Sequence, residues 1–147
     1  MRRRWEIFYG ITLVAALMVW SGARADDEDT IDYRKHIMKA MGEQAAAIGM
    51  ILQKKAPPES FAVHVKILAT TAAMAKSAFE PKVSGGDAKP EVWSNWADFS
   101  KRLDTLVAAT GDLVKIAESG GVTAAGPKVE AALSCKSCHD NYRVPKK

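Results

Sequence analysis

The chain contains 147 residues, a length suited to one globular domain. Its formal net charge of +4 comes mostly from the first 25 residues, which include Arg2, Arg3, Arg4 and Arg24 against the single acidic residue Glu6. Without that segment, 17 of the 21 basic and 16 of the 17 acidic side chains remain, a net charge of +1. This near-neutral balance gives no support to a nucleic-acid partner, because binding to phosphates requires a basic surface.

The N-terminal segment has the pattern of a secretory signal peptide. Three arginines precede an apolar run over residues 11–20, and the A-x-A sequence at residues 23–25 is typical of a cleavage site. The alternative is an uncleaved membrane anchor, but the apolar run is shorter than the roughly 20 residues that span a bilayer. We therefore predict a cleaved signal peptide at residues 1–25 and a periplasmic domain at residues 26–147 with no stable membrane insertion.

Two helices are predicted in the first half of the exported domain. Helix A begins after Thr30, a suitable N-cap, and runs to about Gln53. Helix B begins after Pro57 and Pro58, since proline suits the first turn of a helix. Apolar residues recur at steps of three and four in both helices. The predicted inward-facing residues are Ile31, Arg34, Met38, Met41, Ala45, Ile48 and Leu52 in helix A, and Phe61, Val65, Leu68, Ala72 and Ala75 in helix B.

A loop and two further helices follow. Residues 80–90 are rich in proline and glycine and predict a loop. Helix C follows Pro90 and ends at the glycine pair 120–121, and helix D runs from about Ala124 to Tyr142. The predicted inward-facing residues are Val92, Trp96, Phe99, Leu103, Leu106 and Leu113 in helix C, and Val129 and Leu133 in helix D. Four apolar faces predict an all-α protein, an antiparallel up-down-up-down four-helix bundle.

Helix D carries the sequence Cys135-Lys136-Ser137-Cys138-His139. This C-x-x-C-H pattern is typical of a c-type haem attachment site. One helical turn puts both sulfur atoms on the same side, where each adds to one vinyl group of the haem, and the adjacent imidazole serves as the proximal iron ligand. The pattern predicts one covalently attached haem c per chain, held by Cys135 and Cys138, with His139 bound to iron.

Three other interpretations of the two cysteines are weaker. A redox dithiol normally follows a strand of a βαβ unit, and no such unit is predicted. A zinc site lacks the second Cys/His pair that would complete four ligands. A structural disulfide with an incidental histidine would make the chain a haemless structural or interaction module. The predicted signal peptide favours haem attachment, because export leads to the compartment that attachment needs.

An antiparallel bundle places the start of helix A beside the end of helix D. Met38 and Arg34 are therefore expected to face a haem held by His139. A methionine thioether is an iron ligand in cytochromes c, but a methionine on an apolar stripe is also ordinary core, and the residues alone leave both possibilities open. His36 points to the opposite side of helix A and His64 flanks the inward face of helix B, so neither is expected to bind iron.

The two ends of the domain resemble the cytochrome c′ family. The resemblance is carried by YRKxxMK at residues 33–39 and CxxCHxxYR at residues 135–143, and it covers essentially the whole exported domain. In high-spin members the position that matches Met38 usually holds an apolar residue and the iron is five-coordinate. In the low-spin branch, of the cytochrome c-556 type, a methionine there is the sixth ligand. Met38, with Gly49 eleven residues on, resembles that branch and implies coordination by His139 and Met38.

Two arginines are expected near the haem. Arg34, one turn before Met38, either pairs with a haem propionate or extends to solvent from the helix end. Arg143, four residues after His139, resembles the family's arginine beside the proximal histidine and also suits the C-terminal end of a helix dipole. One of three aromatic residues is expected to contact the macrocycle: Trp93, Trp96 or Phe99.

The predicted function is that of a periplasmic monohaem cytochrome that carries single electrons and is not an enzyme. The alternative is a five-coordinate haem that binds nitric oxide or carbon monoxide, for sensing or scavenging, with Met38 as a distal gate. The expected partners are unidentified periplasmic redox proteins. The resemblance also allows a homodimer through helices A and B, although their outer faces show no obvious apolar strip. The other charged residues, Arg102 among them, are expected to form a solvated surface.

Overall fold

A computed structural model of the protein describes residues 26–145. The predicted signal peptide lies outside the described residues, as do the last two lysines. The described part of the chain contains six α-helices: α1 (Asp27–Leu52), α2 (Phe61–Phe79), α3 (Glu91–Ser94), α4 (Trp96–Ala125), α5 (Val129–Ala132) and α6 (Cys135–Tyr142). Single 3₁₀ turns precede α2 and α5. Over residues 26–145, no helix is both long and apolar enough to cross a membrane.

The helices form the predicted four-helix bundle. Helix α1 packs on α2, α2 packs on α4, and α5 and α6 together take the position of the fourth helix. The inward face predicted for α2 is confirmed, since Phe61, Val65, Leu68, Ala72 and Ala75 are all buried. Burying each of the three larger side chains stabilises the fold by about 1.5–3 kcal/mol. This face is therefore the centre of the bundle.

Helix α1 begins four residues earlier than predicted. Its N-cap is Asp26, whose Oδ1 accepts a hydrogen bond from the backbone N–H of Asp29 at 2.8 Å, so the assignment of Thr30 as the cap is wrong. An aspartate cap followed by acidic residues in the first turn complements the positive end of the helix dipole, which explains the earlier start. Met38 consequently lies in the fourth turn of α1.

The inward side of α1 faces the hydrophobic core along one edge and an open cleft along the other. Ile37 and Ile51, which were absent from the predicted face, are buried against the core, whereas the predicted residue Leu52 is 36% exposed. Met38 and Ala45 instead border a cleft described below. A helical repeat of 3.6 residues predicts only one inward face. It could not distinguish the edge of α1 that contacts α2 from the edge that borders the cleft.

The last two predicted helices are interrupted. Asn95 separates α3 from α4, and Gly121 has a φ of +57° and a ψ of −151°, which bends the chain before the last turn of α4. The prediction of a continuous helix D is wrong. Ser134 lies in a tight turn, closed by a hydrogen bond from Cys135 N–H to Leu133 O at 2.7 Å, so the attachment motif occupies a separate short helix, α6.

The outer face of α2 differs from the prediction that no apolar strip is present there. Val63, Ile67 and Met74 are exposed along one side of α2, and Met50 is exposed on α1. The spacing of Val63, Ile67 and Met74 keeps them on one helical face. The first two helices therefore present apolar surface to solvent.

Candidate haem site

A cleft of about 840 Å³ opens between the first half of α1, α4 and α6. Its volume lies within the range of roughly 300–1,000 Å³ that is usual for cofactor sites. Its walls are mostly apolar, with Leu68, Leu103 and Leu106 among them. All six residues proposed from the sequence border this cleft: Arg34, Met38, Cys135, Cys138, His139 and Arg143.

The attachment motif forms the first turn and a half of α6. Cys135 is exposed at the start of the helix, and Cys138 and His139 are half-buried one turn later. The two thiols are free and are not joined in a disulfide. Burial raises the pKa of the Cys138 thiol. Within residues 26–145, no cluster of three metal-binding side chains of the zinc type occurs, so the zinc interpretation gains no support.

Arg34 is buried at the edge of the cleft, with only 3% of its surface exposed. Its Nη2 donates to the carbonyl oxygen of Val83 at 2.7 Å, and its Nε donates to that of Thr30 at 3.3 Å. The guanidinium carbon lies 5.4 Å from the ring centroid of Phe79 and 5.1 Å from that of Trp93. These contacts contradict the alternative that this side chain extends to solvent.

One donor of the Arg34 guanidinium lacks a hydrogen-bond acceptor among the described residues. This donor is Nη1, which is buried. Burial also lowers the pKa of the guanidinium, against a smaller opposing effect of Asp27. A buried donor without a partner is costly, and a carboxylate from a ligand in the cleft would satisfy it. This unpaired atom is the feature that fits a haem propionate.

Arg143 borders the cleft but does not continue the helix. It has extended backbone angles (φ −112°, ψ 137°), and its backbone forms an isolated antiparallel bridge with Ala88. Arg143 is the C-cap of α6, and its backbone N–H donates to His139 O at 3.0 Å, so it lies one turn after His139 and borders the same cleft.

Met38 is half-buried and borders the cleft with His139. Among the aromatic candidates, Phe99 borders the cleft; Trp93 instead stacks on Arg34 and donates its indole N–H to Phe79 O at 2.9 Å. The two other histidines have different surroundings. His36 is exposed, and the Nδ1 of His64 lies 2.8 Å from Gln44 Oε1.

Sequence reasoning missed a polar cluster that links α4 to α6. Arg102 Nε donates to Asp98 Oδ2 at 2.6 Å, and Arg102 Nη1 donates to the carbonyl oxygen of Ser137 at 3.3 Å, between the two cysteines. The hydroxyl of Tyr142 donates to the same Asp98 oxygen. Arg102 thus borders the cleft rather than forming plain solvated surface. The four-residue spacing of Asp98 and Arg102 was the available signal.

The residues around the cleft fit a covalently held haem. The motif supplies two thiols and an imidazole on adjacent turns, Met38 supplies a thioether, and the unpaired Nη1 of Arg34 calls for a carboxylate. The remaining walls are largely apolar, which suits a macrocycle.

Comparison with known proteins agrees with this fit. A family model described as Cytochrome C' matches residues 29–143. Cytochrome c' of Alcaligenes xylosoxydans xylosoxydans is 32% identical over 133 residues, which cover 83% of this chain and 98% of that protein. Cytochrome c-556 of Agrobacterium tumefaciens is 29% identical over 121 residues, 79% of this chain and 98% of that protein.

A solved structure extends the comparison to three dimensions. It is a nitric oxide complex of a variant of cytochrome c prime from Alcaligenes xylosoxidans. It matches with a TM-score of 0.72 and 30% identity, covering 84% of this chain and 100% of that one. The chain therefore belongs to the cytochrome c′ family, as a c-type cytochrome with one covalently attached haem c per chain.

Proposed function

We propose that this protein is a periplasmic electron carrier whose haem iron is bound by His139 and Met38. The observation that carries the proposal is that both side chains border one cleft together with the two cysteines of the attachment motif. A methionine at this place offers a soft thioether to iron, a ligand that raises the reduction potential of c-type haems. Export is supported by the sequence pattern of residues 1–25.

Each part of the cleft has a role in this proposal. The bound haem supplies the one-electron redox chemistry. Cys135 and Cys138 would tether it, and His139 and Met38 would both bind its iron in either oxidation state. Arg34 holds a carboxylate at the cleft edge, while apolar walls that include Leu103 exclude water. A fixed ligand set limits the rearrangement that accompanies gain or loss of an electron, which suits an electron carrier rather than an enzyme.

The second candidate function is binding of a gas at a five-coordinate haem. It is supported by the similarity to a cytochrome c prime that was solved in complex with nitric oxide. In this alternative Met38 is a bulky apolar side chain over the distal face of the haem and leaves the iron open. The two functions differ in one property, namely whether the Met38 sulfur occupies the sixth position.

Absorption spectra of the holoprotein separate the two candidates. We expect a low-spin spectrum that carbon monoxide hardly changes, and a high-spin spectrum with ready carbon monoxide binding after Met38→Leu, which keeps the volume but removes the sulfur. Met50→Leu is the matched control, since Met50 is exposed on the same helix. A high-spin wild type that binds carbon monoxide readily would reject the ligation and favour gas binding.

We also propose that two chains associate through the exposed apolar side of α2. The support is the row of Val63, Ile67 and Met74. Light scattering on the holoprotein should give a dimer mass, and Ile67→Lys should shift it to a monomer. A wild type that stays monomeric at high concentration would reject the dimer. We further propose that its redox partners are proteins of the periplasm.

A further inference from the structure

The loop between α2 and α3 crosses from one side of the cleft to the other. We call residues 81–90 the strap. Helix α1, which carries Met38, packs on α2. Helix α6, which carries His139, packs on α3 and α4, so the two helices have different packing partners. The strap contacts both of them, and its two ends are held by different kinds of interaction.

Close packing and a partly buried hydrogen bond hold the strap on α1. A Cβ atom at Gly85 would lie 2.7 Å from Ile31 Cδ1, and one at Gly86 would lie 2.9 Å from Ile31 Cγ2, so backbone and side chain are in direct contact. Both glycines have positive φ angles, +133° and +61°. Arg34, one turn from Met38, adds the hydrogen bond from its Nη2 to Val83 O.

Backbone hydrogen bonds hold the other end of the strap on the C-terminal segment. The N–H of Lys89 donates to Tyr142 O at 3.0 Å, and the N–H of Val144 donates to Asp87 O at 2.8 Å. The ammonium group of Lys89 donates to Asp140 O at 3.0 Å. Asp140 directly follows His139, so these bonds are anchored next to the residue proposed as the proximal ligand.

We propose that the strap is a positioning element that fixes the separation of α1 and α6, and thereby decides whether Met38 keeps the sixth position closed to gas molecules. The inference rests on the proposed ligation by Met38 and His139. Its physical basis is that a thioether–iron bond requires both helices to stay within bonding reach of one iron atom. An alanine at position 86 would require Ile31 or the strap to shift, because its Cβ would lie 2.9 Å from Ile31 Cγ2.

The test compares three variants of the holoprotein. Gly86→Ala inserts a methyl group between the strap and Ile31. Gly121→Ala is the control for backbone strain without a steric clash, because its φ of +57° is also positive while its Cβ would meet no atom within 4 Å. Lys89→Ala releases one contact at the opposite end of the strap without adding any bulk.

The readouts are the high-spin fraction, carbon monoxide binding, and amide hydrogen exchange of Lys89 and Val144. We expect Gly86→Ala to raise the high-spin, carbon monoxide-accessible fraction by roughly tenfold and to speed exchange at both amides. Lys89→Ala should produce a smaller rise, and Gly121→Ala should leave the spectrum unchanged even where it lowers the melting temperature.

The possible failures are distinguishable. If wild type, Gly86→Ala and Lys89→Ala are all low-spin and all resist carbon monoxide equally, the strap inference is overturned. The proposed ligation by Met38 is not affected by that result. A change of equal size in Gly121→Ala also overturns it, because general destabilisation would then explain the effect. A wild type that is already high-spin overturns the ligation by Met38 and the strap inference with it. If Gly86→Ala does not fold, Lys89→Ala decides between the outcomes by the same readouts.

Discussion

The hydroxyl group of Tyr142 donates a hydrogen bond to the carboxylate of Asp98 and so joins the last turn of α6 to the first turn of α4. Phe99 packs edge-on against the Tyr142 ring, with centroids 5.1 Å apart. The hydrogen bond from Tyr142, with that from Arg102, holds the pKa of Asp98 below its ordinary value. Burial and the neighbouring carboxylate raise the pKa of Tyr142. The attachment helix is therefore fastened by a bond whose strength depends on pH.

We predict that the stability advantage of wild type over Tyr142→Phe depends on pH. The depressed pKa of Asp98 stabilises the fold above its ordinary value of 3.8, and this contribution is lost as pH falls through the lower value in the folded protein. The difference in melting temperature should be largest near neutral pH and should shrink below about pH 4. Thermal melts of both holoproteins across this range would measure it; a constant difference would contradict the role of the bond.

The second prediction concerns the effect of Arg34 on the reduction potential of the haem and on the stability of the fold. Arg34→Gln removes a buried cation, which we expect to lower the reduction potential, because positive charge near the haem favours the reduced form. It should also cost about 1.5–3 kcal/mol in the free energy of unfolding, the usual value of a hydrogen bond to a charged group. Potentiometric titration and urea denaturation measure the two effects.

Arg34→Lys is the control for charge, since it keeps the cation but loses the planar stacking on Phe79 and Trp93. Its reduction potential should stay closer to wild type than that of Arg34→Gln. Equal potentials in wild type and Arg34→Gln would show that this cation does not act on the haem.

The third prediction concerns the covalent attachment. Cys135→Ala with Cys138→Ala should abolish haem that survives a denaturing gel, because no thioether remains. Each single variant should retain one bond and a weaker stain. Ser137→Ala, between the two cysteines, is the control and should bind haem as wild type does. Haem stain that persists in the double variant would refute the assignment of the attachment residues.

The fourth prediction compares two valines on one helix. Val65 is fully buried, whereas Val63 is 58% exposed, so the same change to alanine tests burial alone. Val65→Ala should lower the free energy of unfolding by about 1–3 kcal/mol, from lost apolar contact and the cavity that remains. Val63→Ala should change it by less than about 0.5 kcal/mol. Urea denaturation at a low protein concentration avoids any contribution from association.

Local patterns in the sequence were enough to predict the bundle and the attachment motif. The face of α2 repeats without interruption from Phe61 to Ala75, and the cysteine spacing has a specific chemical meaning. The interruption before Cys135 was not visible, because Leu133 and Ser134 are compatible with a helix in their local sequence. Whether a helix continues through such residues depends on tertiary contacts that a short stretch of sequence does not contain.

The surroundings of Arg34 and Arg102 show a second limit of prediction from sequence. Charged residues on a helix are ordinarily solvated, and only the folded chain reveals that Val83 and Ser137 offer carbonyl oxygens to them. These bonds connect residues 49 and 35 positions apart in the chain. Such long-range partners depend on the tertiary arrangement, so composition and periodicity could identify the arginines but not their roles.

The turn at Ser134 has a consequence for how the chain tolerates change. A continuous fourth helix would act as a rigid lever, and a shift in its first half would rotate the imidazole of His139 by the same angle. With the helix interrupted, α5 can adjust to substitutions in the neighbouring part of α4 while α6 keeps its own fastening through Tyr142 and Arg102. Insertions in α5 should therefore disturb the position of His139 less, and be tolerated better, than equal changes in α6.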